Sequence, residues 1–358
     1  MKSLFDPIKI GNMELKNRFV KAATYEGLAA PDGHLTDELR KLNLRWAEGG
    51  PGMVITSYAY VLPKGGQPNP RMMGISDDSF IPEYRELTEA VHLLGRRIVL
   101  QIVYGGSNTF WQKEGPIWGP SAVPNPKTGV IPQEMTHADM KTLAEAFAAA
   151  AVRAKEAGFD GVELHAAHGY LLSMFLSPEL NRRTDEYGGS IENRARLIRE
   201  TLAAMRESAD RDYPILMKLN STDGTENGLS EEDSLSAAKL LAPQLDAIEV
   251  SGPFRSFRVN GRNGCHSFFA SYAAKLAEEV TIPVILTGGN REFSEMQELL
   301  NTTGIAAFGL GRPLISQPDL VLLWKKDPKK KPRCISCDLC FSRPDCICNL
   351  DRPNVKRK

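Results

Sequence analysis

The alternation of strand-like and helix-like segments constrains the fold of this 358-residue chain more than any other feature. Short apolar runs such as RIVLQIV alternate with longer amphipathic stretches, and eight such β–α units follow one another. This order predicts an α/β protein with parallel strands and right-handed crossovers. Eight units favour a closed (β/α)8 TIM barrel over an open doubly wound sheet, whose GxGxxG fingerprint is missing. The predicted strands are Arg18–Thr24, Gly52–Ser57, Arg97–Val103, Phe159–His165, Pro214–Asn220, Asp246–Ser251, Pro283–Thr287 and Ile305–Leu310.

The sequence divides into a long barrel and a short tail. We expect the barrel to occupy residues 1–325, and residues 326–358 to form a basic hinge followed by a cysteine-rich segment. Lysine plus arginine and aspartate plus glutamate balance at 44 each, which gives no reason to expect nucleic acid or an anionic membrane as a partner. The N-terminus lacks a secretory signal, and no apolar run approaches the roughly 20 residues of a membrane helix. These features predict a soluble cytoplasmic protein and leave open whether it forms a homo-oligomer.

The segment GVELHAAHGY ends a predicted strand with two histidines and a tyrosine. His165, His168 and Tyr170 bring several hydrogen-bond donors to one strand end. Two interpretations are open, a structural corner and an active site. The long polar loop that follows favours an active site, because barrels keep theirs at the C-terminal ends of the strands. The long loop at residues 104–136 is expected to wall the same end.

Polar and glycine residues mark other strand ends. Gly288, Gly289 and Gly311 would let the backbone approach a phosphate closely, with Arg312 adding a charged hydrogen bond; the alternative is that these glycines serve only the turns.

Gln101 and Lys218 stand inside otherwise apolar strands. A buried lysine is costly unless it is paired or faces a ligand. Lys218 is therefore predicted either to face the barrel mouth or to form a structural ion pair with Glu163 or Glu249.

Three segments resemble the old yellow enzyme family, whose members are FMN-dependent ene reductases built on a (β/α)8 barrel. They are LFDPIKIGNMELKNRFVKAAT, HAAHGYLLSMFLSPELNRRTDEYGGSIENR and AFGLGRPLISQP. The resemblance runs from Leu4 to about Leu323. It implies a flavin oxidoreductase that takes electrons from NADH or NADPH. A non-redox, phosphate-binding barrel enzyme is the alternative from another class.

The resemblance also implies roles for individual residues. His165 and His168 would bind the carbonyl oxygen of an α,β-unsaturated carbonyl or thioester, and Tyr170 would protonate Cα after hydride reaches Cβ. The residues expected to bind FMN are Ala23, Thr24, Gln101 and Lys218 at the flavin ring and Gly288, Gly289, Gly311 and Arg312 at the phosphate.

Five of the six cysteines crowd into the tail, which suggests metal ligation in a chain without a secretion signal. Cys334, Cys337 and Cys340 resemble the cluster-binding segment of the 2,4-dienoyl-CoA reductase and trimethylamine dehydrogenase branch of the family. The resemblance implies a 4Fe-4S cluster with Cys346 as fourth ligand and Cys348 as its competitor. A zinc site and a tail without metal are alternatives. That branch carries a C-terminal FAD/NAD domain, which this sequence lacks, so a partner electron-transfer protein would feed a cluster here.

Overall fold

The computed structural model describes residues 1–109, 111, 115–252, 267–341 and 347–352. Eight strands run parallel and close into a ring in which the last strand pairs with the first. The predicted (β/α)8 TIM barrel is confirmed. The barrel strands are β1 Phe19–Lys21, β2 Met53–Tyr60, β3 Arg97–Val103, β4 Gly161–Ala166, β5 Ile215–Asn220, β6 Ala247–Ser251, β7 Val284–Thr287 and β8 Ala307–Leu310.

A helix follows each barrel strand along the chain. These helices are α1 Asp37–Glu48, α2 Ile81–Leu93, α3 His137–Glu156, α4 Arg196–Ala209, α5 Glu231–Leu241, α6 Ala270–Glu279, α7 Phe293–Thr302 and α8 Leu320–Lys326. Within the described ranges, none combines the length and the apolar character needed to cross a membrane.

Shorter elements decorate the loops. Short α-helices span Leu171–Leu176, Ile191–Arg194 and Arg312–Ser316. Single 3-10 turns span Asp78–Phe80, Ala242–Gln244, Leu339–Phe341 and Asn349–Asp351. Short strands span Met73–Gly74, Trp118–Gly119 and Gln133–Glu134.

Side chains in the sequence fix where several helices begin. Thr36 and Ser230 each accept a hydrogen bond from a backbone N–H in the first turn of α1 and α5. Thr136 opens α3 with a reciprocal capping box to Asp139. These caps satisfy N–H groups that a helix start otherwise leaves without a partner.

The barrel interior is apolar toward the N-terminal ends of the strands. Val99 of β3 and Leu216 of β5 belong to a fully buried apolar cluster. An antiparallel hairpin of Ile8–Ile10 with Met13–Leu15 adds its own apolar side chains to this cluster. The hairpin therefore closes this end of the barrel.

The inward faces of β3 and β5 become polar two residues closer to the C-terminal ends of these strands. Residues two apart share a face, because side chains alternate along a strand. Gln101 follows Val99, and Lys218 follows Leu216. The register aligns Gln101 with Glu163 and Lys218 with Glu249. One layer across the barrel thus collects polar side chains beneath the C-terminal mouth, where barrel enzymes place their active sites.

Strand β2 contains a bulge that the sequence pattern did not predict. Ile55 pairs with Val99 whereas Tyr58 pairs with Gln101, so β2 has one residue more than β3 between these pairs. Strict alternation would turn Tyr58 to the opposite face from Ile55. The extra residue instead brings Tyr58 to the barrel mouth beside Gln101, and β2 continues beyond the predicted run Gly52–Ser57.

Glu26 lies in the loop after β1 with only 2% of its surface exposed. Burial raises the pKa of this carboxyl to about 7, and the nearby Ser57 hydroxyl and the charge of Lys21 oppose the effect only partly. Because the pKa is higher in the folded chain than in the unfolded chain, bound protons stabilise the fold at low pH. That stability is lost as the pH rises through the folded pKa.

We expect Glu26→Gln to remove this pH dependence, because glutamine does not ionise. From about pH 5 to about pH 8, the free energy of unfolding of the wild-type chain should fall by roughly 3 kcal/mol relative to Glu26→Gln. Urea denaturation at each pH measures the difference, with Glu207→Gln on the exposed side of α4 as control. Parallel curves for wild type and Glu26→Gln would contradict the raised pKa.

Candidate active site

A cavity of about 830 Å3 opens at the C-terminal ends of the barrel strands. Its volume is in the range of sites that bind cofactors and small ligands. The structure brings every residue predicted for catalysis or flavin binding onto its lining: Ala23, Thr24, Gln101, His165, His168, Tyr170, Lys218, Gly288, Gly289, Gly311 and Arg312.

An ion cluster surrounds Lys218, which is 2% exposed. Its Nζ lies 3.1 Å from Glu249 Oε1 and 3.4 Å from Glu163 Oε2. Gln101 Nε2 donates to the same Glu163 oxygen at 2.5 Å. Lys218 therefore forms the structural ion pair and also lines the cavity, so the two predictions for this residue are compatible.

The cluster shares one ammonium between two carboxyl groups. Burial, reinforced by the charge of Glu249, raises the pKa of Glu163 well above its usual value. Burial would also raise the pKa of Glu249, but the Lys218 ammonium outweighs burial and lowers it. Burial would lower the pKa of Lys218, but the two carboxyls outweigh it and raise this pKa. At neutral pH we therefore assign a protonated Glu163, an ionised Glu249 and a charged Lys218, which together are neutral.

His165 is held as a neutral hydrogen-bond donor. Burial, with the nearby His168 and Lys218, lowers its pKa well below the usual value. Its Nδ1 accepts a hydrogen bond from the backbone N–H of Ala167 at 3.3 Å. A neutral imidazole that accepts at Nδ1 carries its proton on Nε2. Because the ring lines the cavity, this N–H can donate to a ligand oxygen.

His168 is fixed by its backbone as well as by its ring. Its φ of +62° is uncommon for a residue with a side chain, and its N–H donates to Asn220 Oδ1 at 3.2 Å. Its Nε2 lies 2.9 Å from Ser251 Oγ. Burial, together with the charge of Lys218, lowers the pKa of His168 to about 3. Both histidines thus present uncharged rings, with centroids 5.0 Å apart.

Tyr170 completes the group on the loop after β4. Its ring meets that of His165 edge-on, with centroids 4.8 Å apart. Its hydroxyl donates to Tyr58 Oη at 3.3 Å, and Tyr58 Oη accepts a second hydrogen bond from Asn69 Nδ2 at 2.7 Å. Burial raises the pKa of Tyr170, so the phenol keeps its proton at neutral pH.

Thr24 is oriented by the buried Lys21 behind it. Lys21 Nζ donates to Thr24 Oγ1 at 2.9 Å and lies 3.8 Å from the centre of the Trp46 ring. An ammonium can only donate, so it occupies an acceptor position on the hydroxyl. The proton of Thr24 therefore points away from Lys21, and the side chain lines the cavity.

The glycines after β7 and β8 serve different purposes. Gly288 has φ +123°, and an added Cβ would approach the Phe269 ring to 2.5 Å, so this turn needs glycine for its own geometry. At Gly311, the nearest neighbour of an added Cβ is 3.6 Å away. Gly311 thus leaves open space next to the backbone on the cavity lining, as a phosphate cradle requires.

The predicted phosphate ligand Arg312 already has a partner in the tail, because its Nη1 forms an ion pair with Oδ1 of Asp338. Arg291, which we did not predict, donates from Nη1 to Ser336 Oγ at 3.1 Å and from Nη2 to the carbonyl oxygen of Cys334. Both arginines line the cavity. The tail therefore packs against the end of the cavity where β7 and β8 finish.

The cysteines of the tail line a second, smaller cavity next to the first. Cys334, Cys337, Cys340 and Cys348 face it, whereas the predicted ligand Cys346 lies outside the described residues. In the part of the chain that the structure describes, no three of these sulfurs lie within 4.8 Å of one another. A tetrahedral zinc site with Zn–S bonds of about 2.3 Å would place its sulfurs about 4 Å apart.

Several lining residues were missed from the sequence. Ser251 could have been found, because it stands two residues beyond Glu249 on the inward face of β6. Tyr58 depends on the β2 bulge. Lys127 and Asn69 lie in irregular loops, where residue spacing does not indicate the direction of a side chain.

A comparison with protein families matches residues 3–330 to the NADH:flavin oxidoreductase / NADH oxidase family. The chain belongs to this family. The match includes the loop after β4 and the glycines after β7 and β8, so it covers the cavity lining except for the residues of the tail. A solved old yellow enzyme homologue from Zymomonas mobilis has a TM-score of 0.78 at 25% identity, covering 92% of this chain and 94% of that one. The predicted resemblance to old yellow enzymes is confirmed.

Two further relatives are longer than this chain. An NADH oxidase from Thermoanaerobacter brockii is 35% identical over 352 residues, which is 94% of this chain and 53% of the relative. A solved complex of 2-naphthoyl-CoA reductase with 2-naphthoyl-CoA has a TM-score of 0.88 at 27% identity, covering 94% of this chain and 54% of that one. This chain spans about half the length of the first curated relatives that it matches.

Lys218→Met tests the ion cluster. Removing the ammonium leaves the ionised Glu249 buried without a counter-ion, so the free energy of unfolding should fall by about 3–5 kcal/mol. Chemical denaturation followed by circular dichroism measures the loss. The double variant Lys218→Met/Glu249→Gln removes the uncompensated charge and should recover part of the stability. A double variant no more stable than the single variant would refute the assigned charges.

Proposed function

We propose that this chain is an FMN-dependent ene reductase that reduces a C=C bond conjugated to a carbonyl or thioester. One observation carries the proposal: the neutral His165 and the protonated Tyr170 line the same cavity as the charged Lys218. Membership of the NADH:flavin oxidoreductase / NADH oxidase family supports a flavin in that cavity. When bound, reduced FMN supplies a hydride, and NADH or NADPH is the proposed source of its electrons.

The lining suits FMN at both ends. Lys218 offers an ammonium group, which would stabilise a flavin ring that becomes anionic on reduction. Thr24 adds a hydroxyl donor oriented by Lys21. At the other end, Gly311 leaves room for a phosphate, and we propose that Arg291 joins the predicted Arg312 in binding it.

We propose that His165 and His168 bind the substrate carbonyl oxygen. Neutral donors aimed at this oxygen stabilise the negative charge that develops on it as the C=C bond is reduced. Because the pKa values of both histidines are lowered, their rings are uncharged and do not compete with Tyr170 as the proton donor. Tyr170, edge-on to His165, would then deliver the proton to Cα.

The likeness to a solved complex of 2-naphthoyl-CoA reductase with 2-naphthoyl-CoA supports thioesters within the proposed substrate class. Ketones share the same recognition element, because the histidines would contact only the carbonyl oxygen. A ketone is therefore a suitable first probe.

Tyr170→Phe separates the two halves of the proposed reaction. Without the phenol proton, reduction of 2-cyclohexen-1-one should slow by about 10²–10⁴-fold, whereas reduction of the flavin by NADH should be unchanged. Anaerobic stopped-flow absorbance measures both rates. An equal loss in both would show that Tyr170 is not the proton donor. A protein that purifies without flavin, and takes up no added FMN, would favour the non-redox alternative.

We further propose that the tail holds a 4Fe-4S cluster on Cys334, Cys337, Cys340 and Cys348. The four cysteines offer only sulfur as a ligand atom. Within the described residues, no three of their sulfurs lie within 4.8 Å of one another, whereas a zinc site would hold its sulfurs about 4 Å apart. Ser336 and Asp338 have φ of +54° and +59°, and alternating backbone of this kind forms N–H nests that bind iron–sulfur clusters. Such a cluster would give a partner electron-transfer protein a route to the neighbouring flavin site.

Cys348→Ala and Cys346→Ala distinguish the two candidates for the fourth ligand. After anaerobic purification, Cys348→Ala should lose most of its iron and acid-labile sulfide, whereas Cys346→Ala should keep both. The opposite pattern would assign the ligand to Cys346. Zinc without sulfide, or no metal in the wild-type protein, would refute the cluster.

A further inference from the structure

We propose that Tyr58 is a positioning residue whose hydroxyl donates a hydrogen bond to the phenolate that Tyr170 becomes after protonating the substrate. This inference rests on the proposed ene-reductase function. It assigns a role to a residue that reaches the cavity only through the β2 bulge.

Aromatic rings hold Tyr58 in place from several sides. Its ring lies 5.6 Å from that of Tyr170 and 6.1 Å from that of His165. On another side it stacks on Tyr25 at 5.7 Å, with an angle of 10° between the planes. Tyr58 is 7% exposed. A side chain packed in this way keeps its hydroxyl at a fixed distance from Tyr170.

The directions of the hydrogen bonds at Tyr58 leave its own hydroxyl proton available to bind the Tyr170 oxygen. Asn69 Nδ2 can only donate, so at 2.7 Å it occupies an acceptor position on Tyr58 Oη. Tyr170 occupies a second acceptor position at 3.3 Å while it still carries its own proton. Once Tyr170 has lost that proton, the Tyr58 hydroxyl can rotate about its C–O bond and donate to the phenolate oxygen.

The proposed step creates the need for such a donor. The reduced cofactor would supply a hydride to Cβ and be left oxidised by two electrons. The Tyr170 O–H bond would break, and the Cα–H bond would form as the C=C bond becomes single. Tyr170 is left as a buried phenolate until it takes a proton from water. Hydrogen bonds to an ionised oxygen are stronger than those between neutral groups, so Tyr58 would stabilise the transition state in which this charge develops.

The electrostatics of the pair point the same way. Burial raises the pKa of both phenols, but the hydrogen bond between them lowers the pKa of Tyr170 and raises that of Tyr58. Tyr170 is therefore the member of the pair that ionises, and Tyr58 is the member that keeps its proton.

Tyr58→Phe tests the inference, with Tyr25→Phe as the matched control. Tyr25 belongs to the same aromatic stack, but its hydroxyl donates to the carbonyl oxygen of Pro70. Tyr58→Phe should lower the limiting rate of 2-cyclohexen-1-one reduction by about 10- to 100-fold. The Kd of this substrate and the rate of flavin reduction by NADH should be unchanged. A general distortion of the site would instead alter both of these quantities. Tyr25→Phe should stay within about 3-fold of wild type on all three measures, because the hydroxyl it loses is bonded away from Tyr170.

A double variant shows whether Tyr58 acts through Tyr170. Tyr58→Phe/Tyr170→Phe should be no slower than Tyr170→Phe alone, because the charge that Tyr58 stabilises no longer forms. The inference would be overturned if the rate losses of the two single variants multiplied in the double variant, or if Tyr58→Phe were indistinguishable from Tyr25→Phe. Either result would leave the proposed function in place. A Tyr170→Phe variant with the wild-type rate would overturn the proposed acid, and the role of Tyr58 with it.

Asn69→Ala keeps the test open should Tyr58→Phe fail to fold, as judged by circular dichroism and flavin content. Asn69 donates to Tyr58 Oη at 2.7 Å and also lies close enough to Tyr170 to lower the pKa of that phenol, so its removal should lower the same limiting rate. An unchanged rate in Asn69→Ala would overturn the inference.

Discussion

The buried ion cluster of Lys218 with Glu163 and Glu249 is the interaction on which the rest of the site depends. It joins β4, β5 and β6 through one ammonium, and Gln101 extends it to β3. A slip of one residue in any of these strands would turn its polar side chain out of the barrel and leave the others without partners. The cluster therefore specifies strand register and also places the Lys218 ammonium, balanced by Glu249, at the cavity lining.

Charge is distributed unevenly around the cavity. Cations lie at its base and at the end near the tail, in Lys218, Arg291 and Arg312. Between them, the hydrogen-bonding groups of His165, His168 and Tyr170 are uncharged. An anionic cofactor and a neutral carbonyl compound match this arrangement, because each would meet the type of group that stabilises it at least cost in desolvation.

The sequence was sufficient for the barrel, because the β–α alternation and the inward period of two are local patterns. It also placed the chemistry at the correct strand ends, since parallel strands bring their C-terminal ends to one side. It left two possibilities for Lys218, because the pairing depends on register between separate strands. Two features were out of reach for the same reason: the bulge that redirects Tyr58 and the placement of Cys348 beside the other cysteines.

The bulge in β2 has an evolutionary consequence. A change of side chain at Tyr58 alters the cavity gradually, whereas deleting one residue between Ile55 and Tyr58 would remove the bulge. The tyrosine would still face inward, two residues after Ile55, but the bend that the bulge gives the strand would be lost. Relatives that differ by one residue in this strand would then have a differently shaped cavity over an otherwise equivalent barrel. Insertions and deletions at this point, more than substitutions, are thus a route by which such a barrel can acquire new substrates.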